Sequence, residues 1–86
     1  MCGNLAKNEL LLNINKLHTT KLGVDRIKNN LNLKNEDALN YCKEKILNKN
    51  CKIYKKGKNF YCEFNDIIIT VNSFSFTIIT AHKIKT

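Results

Sequence analysis

Eighty-six residues leave room for one domain with one core, residues 1–86, and exclude a second. A hydrophobic fraction of 43% with 26% charged residues fits an ordinary globular chain, and no apolar run approaches the roughly 20 residues a membrane-spanning helix needs. Fifteen basic residues against seven acidic ones give a net charge of +8, which favours polyanionic partners such as RNA or DNA.

The same charge has a compositional reading. Lysine outnumbers arginine fourteen to one and asparagine also occurs fourteen times, a bias that A/T-rich codons alone produce. The N-terminus MCGNLAKNEL has no basic region followed by an apolar stretch, so no secretory signal is expected and the cytoplasm is the default address. The four cysteines, Cys2, Cys42, Cys51 and Cys62, contain no C-x-x-C pair, and the two histidines lie far apart in sequence. Neither a metal site nor a cofactor is expected, and reduced thiols are, with Cys42 and Cys62 at core-like positions.

In chain order, Leu10, Ile14 and Leu17, with Leu11 beside them, predict a first helix over about 5–17. HTTKLG interrupts it, and Thr19 or Thr20 can cap a second helix carrying Val24, Ile27 and Leu31 on one face and ending among Asn29, Asn30 and Asn32. Asn35 then opens a third helix, with Glu36 and Asp37 in its first turn where the helix dipole favours anions. Its buried stripe is Leu39, Cys42 and Ile46, and Asn48-Lys49-Asn50 ends it.

The period then changes to two. CKIYKK (51–56), a Gly57-Lys58-Asn59 turn and FYCEF (60–64) read as a β-hairpin, with Phe60, Cys62 and Phe64 facing one way and Tyr61 and Glu63 the other. Asn65-Asp66 turns the chain into IIITVN (67–72), and Ser73-Phe74 leads to a last strand over about 75–84. The expected fold is α+β: two or three N-terminal helices (about 5–48) packed on one face of a four-stranded antiparallel β-meander (about 51–84).

Strict alternation in the last strand puts Phe76, Ile78, Thr80 and His82 on one side and Ser75, Thr77, Ile79 and Ala81 on the other. Apolar residues on both sides suggest an interior strand. A hydroxyl and an imidazole two residues apart on such a strand can be held rigidly as a site, and they equally mark where burial stops.

The stretches LHTTKLGVDRIKNNLNL, YCKEKIL, YKKGKNFYCE and ITVNSFSFTIITAHK, over about residues 10–85, resemble a family of short bacterial proteins known as domain of unknown function 3781. That name implies no activity. More distantly, helices followed by a four-stranded meander ending in I-T-A-H resemble the barnase–EndoU–colicin–RelE superfamily of metal-independent ribonucleases, many of them toxins. The resemblance implies that His82 and Thr80 match the terminal-strand site, and that the segment His18 to Arg26 matches the helical H…R signature of smaller members. Lys52, Lys55, Lys56 and Lys58 are basic without aligning to a fixed catalytic lysine, and some members have lost activity.

Metal-independent RNA cleavage needs a base for the 2′-OH, an acid for the leaving 5′ oxygen and a cation for the phosphorane. His82 is the candidate acid or base, Thr80 its neighbouring hydroxyl, and Arg26, the only arginine, the candidate bidentate phosphate ligand. Lys56 and Lys58 would flank the RNA backbone, Tyr61 would stack on a base, and His18 would add a contact. Each residue has a plainer role open to it. Arg26 fits an ion pair or a helix terminus, His18 a loop position, Tyr54 and Tyr61 sheet-surface packing, and Lys55–Lys58 a solvated hairpin tip. Glu63 is a second proton carrier or simply a surface acid. Two other functional classes stand beside the toxin-like endoribonuclease: an RNA- or DNA-binding module that does not cut, and a regulator docking on a protein partner such as an antitoxin or inhibitor target.

Overall fold

The computed structural model describes residues 5–34 and 37–84. Three helices, α1 (Leu5–Leu12), α2 (Lys21–Leu31) and α3 (Ala38–Leu47), precede four strands, β1 (Lys52–Lys56), β2 (Asn59–Phe64), β3 (Ile67–Asn72) and β4 (Ile78–Lys83). The strands form one antiparallel meander in the order β1-β2-β3-β4. The α+β architecture expected from the change of period is the one observed.

The first helix is shorter than its apolar spacing suggests. The Asn13 side-chain amide donates to the Glu9 carbonyl at 2.8 Å, and the Asn13 N–H bonds Leu10 three residues back. This tighter pattern turns the chain into a separate 3₁₀ segment, Ile14–Lys16, so 5–17 is not one α-helix. Leu10 and Leu17 are nevertheless both buried. Helix α2 begins where Thr20 Oγ1 accepts from the Gly23 N–H at 3.1 Å, and ends on Asn32 in the left-handed conformation at φ 57. Asp37 is the cap of α3 rather than part of its first turn: its Oδ1 accepts from the Leu39 and Asn40 N–H groups at 3.0 and 3.3 Å. Asn35 and Glu36, placed at that helix start by the sequence, lie outside the described residues, as does Cys2.

One face of the sheet makes the core with the helices. Leu10, Ile27, Ile46, Phe60, Ile69 and Ile78 are fully buried there. Helix α1 packs on β1, α2 on β4 and α3 on β2. Among the described residues, no helix is long and apolar enough to cross a membrane.

The β1–β2 hairpin closes on a two-residue loop, Gly57-Lys58, because Lys56 pairs with Asn59, so Asn59 belongs to the strand. Gly57 sits at φ +63, which the first central position of such a tight hairpin turn requires and a glycine supplies without steric cost.

Three expectations about the last strand are corrected. It starts at Ile78, not near 75, because Asn72 Oδ1 accepts from the Phe74 and Ser75 N–H groups and holds a turn there. It is an edge strand, not an interior one. Its apolar residues on both sides are explained by cover on the outer edge: α2 packs against it, and His18 forms a parallel bridge to Thr77. Finally, Phe76 and Ile78 do not share a side with Thr80 and His82. Thr70 pairs with Thr80 while Val71 pairs with Ile78, so Ile79 is an extra residue, a β-bulge. The bulge reverses the alternation. Ile78 and Ala81 are buried in the core, whereas Thr80 and His82 go to the opposite face.

Candidate nucleic-acid interface

The face of the sheet turned away from the core is built from cross-strand rows. One row runs Lys52, Glu63, Ile68, His82; the next runs Tyr54, Tyr61, Thr70, Thr80. Alternation along β1 and β2 sends Ile53, Phe60 and Cys62 inward and these polar and aromatic side chains outward. Tyr54, Lys56, Gly57, Tyr61, Ile68, Thr70 and His82 enclose an open hollow of about 480 Å³ on this face.

Tyr54 and Tyr61 stand directly opposite one another, their rings stacked with centroids 5.6 Å apart and planes 25° from parallel. The Tyr54 hydroxyl donates to Glu63 Oε2 at 2.9 Å. That bond to a carboxylate holds the phenol in its neutral form and raises its pKa above the usual tyrosine value. It also occupies Glu63, whose carboxylate anchors a ring. Tyr54 remains 40% exposed. The result is a fixed aromatic shelf, accessible from solvent, with Lys56 beside it in the wall of the hollow.

Of the residues singled out in the sequence, His82, Tyr61 and Lys56 meet in this hollow, and Thr80, Arg26, Lys58 and His18 do not line it. His82 is exposed, and among the described residues none hydrogen-bonds its ring. Thr80 is half-buried at the edge of the sheet, where its hydroxyl accepts from the Asn30 side-chain amide of α2 at 3.3 Å. Arg26 is exposed one helical turn before Asn30, on the same flank of α2; among the described residues no acid or carbonyl engages it. Lys58 is exposed at the hairpin tip. His18 lies instead beside the 73–77 turn, with Nε2 3.0 Å from Thr77 Oγ1. Lys55 leaves the open face, its ammonium lying 5.9 Å from the centroid of the inward-facing Phe60 ring.

Tyr54, expected only as sheet-surface packing, and Ile68 and Thr70, expected only as strand positions, also line the hollow. The signal for Tyr54 was present. A two-residue loop at Gly57-Lys58 pairs positions 54 and 61, which puts two tyrosines side by side.

Cys42, Cys51 and Cys62 are buried and free. Among the described residues, no group of three His, Cys, Asp or Glu side chains is placed to hold a metal ion.

Comparison with protein-family models matches residues 11–82 to the family described as Protein of unknown function (DUF3781). Neither the curated proteins nor the solved structures contain a match to the chain.

Proposed function

The chain belongs to the DUF3781 family, whose description names no activity, and we propose from the geometry of the open sheet face that it binds single-stranded RNA. The observation that carries this reading is the stacked Tyr54–Tyr61 pair, Tyr54 exposed and Tyr61 half-buried, beside Lys56. A flat aromatic shelf accepts the face of any base, and lysines around it follow the phosphates. The rings are held by the sheet register and by Glu63, so little ordering cost falls on binding. The excess of basic over acidic residues adds long-range attraction to the strand.

Titrating the isotopically labelled protein with a short oligouridylate tests the reading. The expected result is that the resonances of Tyr54, Tyr61, Thr70 and His82 move together and saturate. Shifts confined to the helical face, or no shifts at low salt, contradict it.

A second reading, toxin-like metal-independent RNA cleavage, is favoured by one observation: His82 shares the hollow with Lys56. A strand stacked on the tyrosines would pass this imidazole. His82 would take the 2′-OH proton or protonate the leaving oxygen, and Lys56 would offset the phosphorane charge. Arg26 and Thr80, on the α2 flank of the sheet, would hold phosphate farther along the strand. Incubating RNA with the protein in the presence of a chelator tests this reading. Products ending in 2′,3′-cyclic phosphate support it, and intact RNA bound to protein reduces the function to binding.

A further inference from the structure

The second histidine sits in a chain of hydrogen bonds that the RNA-binding face does not use. His18 lies between the 3₁₀ segment and α2, and its backbone is fixed against β4. Its N–H donates to the Phe76 carbonyl at 3.1 Å, and its carbonyl accepts from the Ile78 N–H at 2.7 Å. Its Nδ1 is 2.8 Å from the Lys16 carbonyl. A carbonyl only accepts, so Nδ1 carries the proton, and in the neutral imidazole Nε2 then presents a lone pair. Thr77 Oγ1, 3.0 Å from Nε2, therefore donates its proton to His18. Ser75 Oγ lies 2.7 Å from Thr77 Oγ1 and 3.3 Å from Asn72 Oδ1, and with the Thr77 proton already engaged its one proton is shared between these two acceptors. Carbonyl, imidazole, hydroxyl and second hydroxyl form one directed relay.

The backbone around this relay is unusual. Phe76, between Ser75 and Thr77, has φ +56, a conformation rarely adopted by a bulky residue and concentrated at functional sites. The Ser73 hydroxyl, at the start of the same turn, is buried without a hydrogen-bond partner in the protein. Phe74, at the tip, is 74% exposed. The Lys16 ammonium lies 6.0 Å from the centroid of the Phe76 ring.

We propose that Thr77 is a nucleophile for acyl transfer from esters, with His18 as its base. The orientation is that of an activated hydroxyl: the Lys16 carbonyl fixes the imidazole tautomer, Nε2 takes the proton as Thr77 Oγ1 attacks, Ser75 holds that oxygen in place, and the negative charge develops on the ester's carbonyl oxygen. Thr77 Oγ1 forms a bond to the ester carbonyl carbon while the bond from that carbon to the alkoxy oxygen breaks. The Thr77 proton passes through His18 Nε2 to the departing alcohol. Water, deprotonated by the same nitrogen, then releases the carboxylic acid and restores the threonine. The exposed Phe74 ring offers an apolar rest for the acyl chain, and Lys16 is the cation held against this turn.

The probe is p-nitrophenyl butyrate at neutral pH, read by nitrophenolate release and by mass spectrometry of the digested protein. The expected result is a butyryl group on Thr77 of the wild-type chain, with acylation about 10²–10⁴-fold slower in H18Q. T77V, checked by circular dichroism for retained fold, loses the adduct. A butyryl group found only on lysines or cysteines of the wild-type protein overturns the proposal whether or not the variants fold. So does Thr77 acylation at an equal rate in a folded H18Q.

Discussion

Tyr54 and Tyr61 face each other across the first hairpin with their rings 5.6 Å apart, and the Glu63 carboxylate holds the Tyr54 hydroxyl at 2.9 Å. Stacking and hydrogen bond together set one orientation for a ring that is still reachable from solvent. The two interactions separate by mutation. Y54F removes the bond to Glu63 and keeps the ring, so RNA affinity should change less than twofold. Y54A removes the shelf and should weaken binding by about 1–3 kcal/mol, the range for one stacked base. Fluorescence anisotropy with a labelled oligonucleotide distinguishes the two outcomes.

His82 shares the hollow with those rings but lends them no support. H82A should therefore leave RNA affinity and thermal stability close to wild type. If the protein cuts RNA, the same variant should lower the cleavage rate about 10²–10⁴-fold, with or without chelator. Gel analysis of RNA products alongside the binding titration reads both quantities from one preparation.

Helix α2 is tied to the edge strand at its first turn. The Thr19 hydroxyl donates to the Ile78 carbonyl at 3.0 Å, and a Cβ added at Gly23 would collide with that Thr19 oxygen. Helix propensity alone predicts that G23A stabilises the protein by about 1 kcal/mol. The lost hydrogen bond and the displaced threonine outweigh that gain, so G23A should lower stability by about 1–2 kcal/mol in urea unfolding.

The buried thiols give the protein a pH signature. Burial pushes the Cys42 thiol from 9.0 up to about 12. The Cys62 thiol is also raised, foremost because it donates a hydrogen bond to Cys51. In the unfolded chain Cys42 loses its proton at lower pH than in the folded one, so unfolding is favoured as pH rises. This contribution is fully present below about pH 9 and is lost progressively towards about pH 12, with a slope of up to about 1.4 kcal/mol per pH unit. C42A should remove that slope while lowering stability at neutral pH. Urea unfolding across this pH window measures the difference. Alkylation of Cys42, Cys51 and Cys62 should be slow in the native state and fast in denaturant.

Much of the fold could be read in the sequence because periodicity reports burial directly. Leu10, Ile27, Ile46 and Phe60 fall where helical and strand spacing put them, and the Gly57 and Asn65-Asp66 turns bound the strands. The site was less legible, for a physical reason at one residue. The bulge at Ile79 inserts an extra position into β4, and strict alternation carried across it groups Ile78 with Thr80 and His82 when they face opposite ways. Nothing in SFTIITAHK marks that bulge, since it arises from pairing with β3. The hydroxyl that does meet an imidazole is Thr77, and its partner is His18, 59 residues away. That juxtaposition depends on the parallel bridge at the sheet edge, a tertiary contact without a local signal.

The proposed RNA binding depends above all on the tyrosine shelf. Its most direct test is the affinity of a labelled single-stranded RNA for wild type and for the Y54A/Y61A double variant, measured over a series of salt concentrations. Wild-type binding should weaken steeply with salt. The double variant should lose at least tenfold in affinity at every salt concentration while remaining folded. Equal affinities for the two proteins, or no binding by wild type at low salt, would contradict the proposed RNA binding.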